Sequence, residues 1–530
     1  MRSISDIYQR CNVVVLEPTD FWEAEKDSKW ITAMKEELLM IEKNYTWKLV
    51  RRPTNRKVIG VKWVFRTKLN PDGSINKHKA RLVVKGYAQI FGVDFSDTFA
   101  PVARLDTIRL MLAIVVQKGW KVYQLDVKSA FLNGLLEEEI YVEQPEGFTV
   151  KGQEDDVYLL KKALYGLKQA PRAWYNRIDE YLMKLGFKRS LNEATLFIKG
   201  DEIHSIFISL YVDDLLVTGS NEELVKKFKE DMKQIFEMTD LGEMAYFLGM
   251  EINQKNGEVF IYQKKYIKEL LKKFKMDECK SVDTPMCQKE KLSKKDEVEP
   301  VDQTFYRSLV GCLMYLTTTR PDILHYVSLL SRFTNCATES HLIAAKRVLR
   351  YVKGTLNFGI KFCASQDDTL QGYSGSDWGG SVDDLKSASG YCFLFGSCVF
   401  SWCCKKQNIL AQSTAEAEFI AANAAVNQAL WLKKILVDLN MKQERCTEIF
   451  VDNQAAISIS SNPVFHGKTK HFNIKLFFLR EVQKEGTVSL TYCKSDLQLA
   501  EIFTKPLPKS KFEFLREKLG VCSNQSKEEC

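Results

Sequence analysis

Cysteine occurs in this sequence, but never in a pattern that would organise a metal or a redox centre. The 14 cysteines are scattered from Cys11 to Cys530 and no two are separated by two residues, Cys403-Cys404 being the one adjacent pair. Zinc binding is therefore not expected. Scattered free thiols fit a reducing compartment, so the expected location is intracellular. Long apolar runs are missing as well. None approaches the roughly 20 residues that span a bilayer, so no membrane partner is expected. The opening Met1-Arg2-Ser3-Ile4-Ser5-Asp6 is polar and charged, which leads us to expect no secretory signal. Histidine is scarce, and His466 and His471, with no partner set, read as structural. No short-period repeat is visible.

Acid is nearly absent from one stretch. Between residues 51 and 90, Arg51, Arg52, Arg56, Lys57, Lys62, Arg66, Lys68, Lys77, Lys79, Arg81 and Lys85 face a single acid, Asp72. The basic residues interleave with Trp63, Phe65, Leu82 and Val84, which suggests a basic face on an ordered sheet and not a merely solvated surface. The whole chain is only mildly basic, at net +8, a balance that permits a nucleic-acid partner without requiring one. At 530 residues the chain is too long for one core and should divide into several domains. Its 45% hydrophobic and 27% charged content is that of a globular protein.

Periodicity supplies the elements. Phe21 to Asn44 reads as a helix with Trp22, Trp30, Met34, Leu38 and Ile41 on one face. Thr46–Val50, Val58–Lys68 and Ala80–Lys85 read as strands, with a turn at Pro71-Asp72-Gly73. Thr107–Lys118 is an apolar helix, Val157–Leu160 a short strand, and Pro171–Leu185, Glu222–Phe236, Lys264–Phe274 and His341–Val352 are helices. Cys287–Gln303 is polar and charged and reads as a linker. After about residue 366 the pattern changes to strands at 370–374, 389–395 and 398–403, a long helix at 414–439 and a strand at 447–451.

The most telling stretch is Tyr211-Val212-Asp213-Asp214, set between the β-prone runs 205–210 and 215–219. It reads as a hairpin with its turn at Asp213-Asp214. An ordinary acidic turn is one explanation, since Asp is common in turns. Two adjacent carboxylates beside buried strands also suit a metal ion that neutralises them. A third carboxylate, Asp126, ends the alternating run Val122–Val127. If that strand and the hairpin share a sheet, Asp126 and Asp213 can bridge two Mg²⁺ ions in the arrangement that serves in-line nucleotidyl transfer.

The blocks "GVKWVFRTKLNPDGSINKHKARLVVKGYAQ", "DTFAPVARLDTIR", "QLDVKSAFLNG", "ALYGLKQAPRAWY", "YVDDLLVTG", "DLGEMAYFLGMEI", "SWCCKKQ", "DNQAA" and "TKPLP" occur in this order from about Trp30 to about Leu507. In them the chain resembles the reverse transcriptase and RNase H portion of copia-type LTR retrotransposon Pol polyproteins. The resemblance implies a fold of α/β (α+β) class, a right-hand polymerase followed by a connection and an RNase H-like domain. The expected division is 1–20 lead-in, 21–250 fingers and palm, 251–303 thumb and linker, 304–365 connection, 366–507 RNase H-like domain and 508–530 C-terminal tail. It implies RNA-directed DNA synthesis on an RNA template with a DNA primer, passing through an RNA–DNA hybrid, with dNTPs as substrate and Mg²⁺, or alternatively Mn²⁺, as cofactor. Cytoplasmic virus-like particles and the nucleus are the implied locations. The zinc-knuckle, protease and integrase parts of the family polyprotein have no counterpart in this sequence.

Carried over residue by residue, Asp126, Asp213 and Asp214 match the polymerase carboxylates. Asp126, Asp213 and the Val127 carbonyl are the implied metal ligands, and Asp214 tunes the site. Arg81 matches the triphosphate clamp, with Lys68 a second candidate, and a sheet-edge surface role is the competing reading for Arg81. Phe131 falls at the aromatic gate against a ribose 2′-hydroxyl, although its type alone suggests core. Tyr165 should lie near the new base pair and Gln169 near the template, a structural loop being the rival for both. Met244–Met250 resembles the segment that grips the primer end.

The RNase H half departs from its pattern. Glu418 and Asp452 match two of the family's four carboxylates, and Glu416 is a nearby alternative read as solvated. The first strand should read Tyr-Ser-Asp; here it is Tyr373-Ser374-Gly375-Ser376-Asp377, so glycine replaces the first carboxylate. Asp377 is the nearby substitute, roughly 6–7 Å further along the strand, unless it is itself the family residue. Glu501 stands where Asp is usual, and Asn473 and Phe477 replace Asp and His. Weak or absent hybrid cleavage is the expectation. Two rivals to the polymerase are a decayed copy that binds nucleic acid without catalysis, and a two-metal nuclease. The presence of all three palm carboxylates argues against the first, and the clamp and gate against the second.

Overall fold

A computed structural model describes residues 17–69, 75–201, 203–461 and 473–524. The turn expected at Pro71-Asp72-Gly73 and the pair His466 and His471 lie outside these residues. The chain forms two compact units, one from Val14–Ala103 and Tyr123–Gly242, the other from Arg104–Val122 and Glu243–Cys530.

The first unit contains the basic hairpin and the palm-type sheet. Val61–Leu69 pairs antiparallel with Ile75–Val84. Trp63, Phe65, Ala80, Leu82 and Val84 are buried, while Arg66, Lys68, Lys77, Lys79 and Arg81 share the opposite face by register. This is the period-two alternation of a sheet with one covered side. Ser28–Lys43 packs against the hairpin strand 75–84 and buries Trp30, Ala33, Met34 and Ile41. The helix expected to be continuous from Phe21 is broken. The Asp27 side chain accepts a hydrogen bond from the Lys29 N–H and starts a new helix at Ser28, and this leaves Trp22 66% exposed, off the expected face. The expected strand 58–68 is likewise interrupted at Gly60, because Val58–Ile59 pairs with Tyr141–Val142 in a different sheet.

The six-stranded sheet of this unit runs in the order Met238–Glu243, Val122–Val127, Asp214–Gly219, Ser205–Tyr211, Leu196–Gly200, Lys188–Arg189. Every residue of Ser205–Tyr211 is buried, as a mostly apolar run with only Ser205 and Ser209 polar requires. The hairpin turn is one residue earlier than expected. Tyr211 pairs with Asp214, so Val212 and Asp213 form the turn and Asp214 opens the next strand. Val212 takes φ = 56°, a left-handed conformation that a β-branched residue rarely adopts.

In the second unit the helix Leu105–Lys118 is buried from Thr107 to Val116 and packs on the strands Cys398–Lys406 and Phe358–Cys363. Arg320 and Asp322 form a bidentate ion pair with both side chains fully buried, at 2.8 and 2.9 Å, and the Tyr351 hydroxyl donates to the same carboxylate at 2.6 Å. Burial opposes the charge of Asp322, but the guanidinium prevails and holds its carboxyl below the usual range. A five-stranded sheet runs in the order Cys398–Lys406, Ala388–Phe395, Leu370–Ser376, Thr447–Val451, Val488–Tyr492. Its first three strands are antiparallel and the last two join in parallel. With the helix Thr414–Asp438 packed on it, this is the β-β-β-α-β arrangement of an RNase H fold.

Candidate active site

The strand carrying Asp126 lies directly beside the strand opened by Asp214, so all three carboxylates stand at one end of one sheet. Two hydrogen bonds fix the strained turn: the Val127 N–H donates to the Asp213 carbonyl at 2.9 Å, and the Trp174 indole N–H donates to the Val212 carbonyl at 2.6 Å. Trp174 is itself buried in the helix Ala170–Lys184, so the turn is clamped from both sides. Burial, then the charge of Asp213, pushes Asp126 above the usual carboxylate range, against the pull of Lys79, Lys68 and Arg81. Asp214 is pushed up to about 7, mainly by burial, and the Gln124 amide donates to its Oδ1 at 2.9 Å.

Such carboxylates are short of counter-charge, and this is the condition a divalent cation relieves. Two carboxylates and the Val127 carbonyl offer hard oxygen donors and leave positions for water and phosphate, which suits Mg²⁺. They do not amount to a closed cage: among the described residues no group of three or more His, Cys, Asp or Glu has the arrangement to hold a metal ion by itself.

The substrate-side residues gather around Tyr165. The Arg81 guanidinium lies over its ring, 4.5 Å from the centroid, and the Phe131 ring lies 4.7 Å from it, tilted by 48°. Burial pushes the Tyr165 hydroxyl up to about 12, so it stays protonated. Its carbonyl accepts from the Val84 N–H at 2.7 Å, tying the Tyr165-Gly166 turn to the basic hairpin. Gly166, at φ = 94°, is required there, since a Cβ would meet the Val84 carbonyl at 2.2 Å. Phe131 is half-buried and packs against both apolar cores of the unit. Lys68 is exposed on the basic face. Gln169, expected near the template with a structural loop as the rival reading, makes loop contacts in this structure. It is 4% exposed, accepts from the Gln89 amide at 2.9 Å and donates to the Asp94 carbonyl at 2.8 Å, so its amide braces two loops.

The second centre is sparser. Glu418 is 7% exposed; its Oε1 accepts from the Ser376 N–H at 2.9 Å and its Oε2 has no hydrogen-bond partner among the described residues. Burial, then the charge of Asp452, pushes it up to about 8. Asp452 accepts from the Ser495 hydroxyl at 3.0 Å. Asp377 accepts from the Ala388 N–H while its own N–H donates to the Ala388 carbonyl at 3.1 Å, which spends it on closing the connection between two strands. Burial pushes it up to about 6. Glu501 is drawn off by two lysines, Lys505 at 2.8 Å and Lys511. Glu416 is buried, contrary to expectation, because its Oε2 accepts from the Gln412 N–H and caps the helix start. Gly375 has room for a side chain, its nearest neighbours to a built Cβ being Ala500 at 3.6 Å and Gln498 at 3.9 Å.

The chain matches the family model described as reverse transcriptase (RNA-dependent DNA polymerase) over residues 44–288. It is 39% identical over 506 residues to the retrovirus-related Pol polyprotein from transposon RE1 of Arabidopsis thaliana, covering 95% of this chain and 34% of that one. It is 39% identical over 502 residues to the Pol polyprotein from transposon TNT 1-94 of Nicotiana tabacum, covering 93% and 38%. A Ty5-1 transposon protein of Saccharomyces cerevisiae is 35% identical over 305 residues, 57% of this chain and 99% of that protein. The chain belongs to the copia-type retrotransposon Pol polyproteins. It spans about a third of the length of the plant Pol polyproteins it matches. Among solved structures, a foamy viral protease-reverse transcriptase in complex with dsDNA aligns over 91% of this chain and 84% of that one at 12% identity and a TM-score of 0.24, a likeness too distant to carry weight.

Three residues of this Pol chain's centres escape a reading by motif. Lys79 sits two residues before Arg81 on the same strand face, and burial with the nearby Arg81 and Lys68 charges lowers its proton affinity. The two-residue spacing was visible in the sequence. Gln124, which orients Asp214, stands two residues before Asp126 by the same rule. Gln498 could not have been found that way. Its amide joins the Ser374 and Phe450 carbonyls at 3.0 and 3.1 Å, bridging two strands far apart in sequence.

Proposed function

We propose that this chain is an RNA-directed DNA polymerase that copies element RNA into cDNA by nucleotidyl transfer, and that its RNase H centre is impaired. The observation that supports the first part is the placing of Asp126 near the end of one strand beside Asp213 in the turn that leads into the adjoining strand, with Asp126 within electrostatic reach of Arg81, Lys68 and Lys79. A divalent cation held by Asp126, Asp213 and the Val127 carbonyl would offset the charge that builds on the attacking hydroxyl and the leaving pyrophosphate. The chain's own groups then divide the remaining work. The Arg81 fork, steadied on the Tyr165 ring, takes the phosphate oxygens of an incoming dNTP. Lys79 and Lys68 add positive charge on the same face. The Phe131 ring, braced by Tyr165, walls the sugar position. Asp214, oriented by Gln124, adjusts the charge of the site without being needed as a ligand.

The second part rests on Gly375, Glu501 and Asp377. The first has no carboxylate and the other two are engaged elsewhere, so Glu418 and Asp452 alone remain to face each other. Primer extension by the purified chain, with RNA template, DNA primer, dNTPs and Mg²⁺, tests the first part. Asp213→Asn should abolish extension and leave hybrid binding nearly intact, because basic residues hold the nucleic acid. Extension by this variant at the unmodified rate would sink the assignment.

A further inference from the structure

The second unit contains a cavity of about 560 Å³ that neither carboxylate centre uses. One wall is a face of the helix Glu339–Gly354, where Ile343, Lys346, Arg347 and Arg350 line it. Their three- and four-residue spacing puts them on one side of the helix. Met276, Cys287 and Glu290 complete the lining. Three cations thus face one acid in a concave space.

A run of basic residues on a helix is commonly a solvated face, but one feature sets this one apart. Both guanidinium groups are anchored: the Arg350 Nε donates to the Lys280 carbonyl at 2.7 Å and an Arg347 terminal nitrogen donates to the Thr284 hydroxyl at 3.1 Å. Guanidinium groups already held in place lose less freedom when an anion binds, so the anchoring favours such a ligand.

We propose that this cavity binds a phosphate-bearing ligand whose organic part rests on Met276 and Ile343. Phosphate suits it better than carboxylate, since a phosphate group offers more acceptor oxygens and charge to three cations, and planar guanidinium forks match it in pairs. The volume is that of a small-ligand site, and the apolar wall favours a phosphate carried on an organic group over the bare ion. Two sources share this chemistry, a free nucleotide and the phosphodiester backbone of a nucleic-acid strand.

Cys287 provides a reporter, since it lines the cavity and is exposed, and Cys446, also exposed, is a control outside it. The full chain is treated with iodoacetamide in EDTA, and modification of each cysteine is followed by mass spectrometry. ADP represents the free nucleotide and oligo(dT) the backbone. At ten times its Kd, a bound ligand should slow Cys287 by about tenfold and leave Cys446 unchanged. Protection by ADP identifies a nucleotide site, and protection by the oligomer alone identifies a backbone site. Lys346→Glu and Arg347→Gln should each weaken protection by about tenfold, equivalent to about 1.4 kcal/mol. Asp213→Asn should leave it intact, which separates this site from the polymerase centre. The proposal is overturned if neither probe protects Cys287, if the charge variants protect as well as the unmodified chain, if polyglutamate protects equally, or if Cys446 slows in parallel.

Discussion

Gly375→Asp should convert the RNase H-like domain into a domain whose stability depends on Mg²⁺. The substitution is sterically open, because the nearest atoms to the new Cβ lie at ordinary contact distances of 3.6 and 3.9 Å and the backbone needs no left-handed conformation. The new carboxylate would stand beside Glu418, whose Oε1 is already bonded to the next residue's N–H. Two carboxylates on the order of 5 Å apart repel by about 3 kcal/mol at an effective dielectric constant near 20. Glu418 is pushed up to about 8, so the repulsion should show fully only above that pH. At pH 9 in EDTA the variant should melt about 5–10 °C below the unmodified chain. Saturating Mg²⁺ should restore the difference in the variant and change little in the parent. With the parent's RNase H centre impaired as proposed, hybrid cleavage should appear in the variant together with the Mg²⁺ response. A variant whose melting ignores Mg²⁺ would show that the 375 position does not face the other carboxylates. Strong cleavage by the unmodified chain that disappears in Asp377→Asn would refute the whole account and make Asp377 catalytic.

Phe131→Val should raise incorporation of ribonucleotides relative to deoxynucleotides by at least about tenfold, or about 1.4 kcal/mol, and competitive primer extension with dNTP and rNTP measures it; unchanged selectivity would make Phe131 core and nothing more. Glu418→Gln should stabilise the metal-free chain in a pH-dependent way. The folded-state pKa of Glu418 is raised from 4.5 to about 8, so the penalty of ionising it grows as pH climbs from 4.5 to 8 and is complete above that. Denaturant titrations should show the variant gaining on the parent across this window, reaching on the order of 4 kcal/mol, and parallel pH curves would refute it. Arg320→Met leaves Asp322 buried without its partner and should cost about 3–5 kcal/mol; a midpoint within experimental error of the parent would show that the pair is dispensable.

The sheet elements were legible because their causes are local. Alternation of Trp63, Phe65 and Leu82 with basic residues reports the covered face of the hairpin, and the buried run 205–211 reports a strand covered on both sides. The turn at Val212-Asp213 was misplaced because residue preferences favour the two aspartates, whereas the actual turn places a β-branched residue at φ = 56°. What overrides the preference is tertiary, namely Trp174 and Val127 gripping the turn from neighbouring elements. The meeting of Asp126, Asp213 and Asp214 at one end of the sheet was legible because each lies in or next to a strand end within a recognisable block. The engagement of Glu501 by Lys505 and Lys511 and of Asp377 by Ala388 was not, since a motif shows that a carboxylate is present but not what occupies it.

The helix Leu105–Lys118 has a consequence for the order in which the molecule can be made. Its buried side chains from Thr107 to Val116 belong to the second unit, yet they are synthesised in the middle of the first. The strands that cover them, Phe358–Cys363 and Cys398–Lys406, emerge from the ribosome some 240 to 290 residues later. Until then an apolar helix stays uncovered in a nascent chain whose three sheet carboxylates, Asp126, Asp213 and Asp214, have already been made. A copy truncated after Gly219 would retain Asp126, Asp213 and Asp214 and still expose the buried face of this helix to water. A premature stop downstream of residue 219 therefore damages the first unit as well as the second, because it leaves this apolar helix without the strands that cover it.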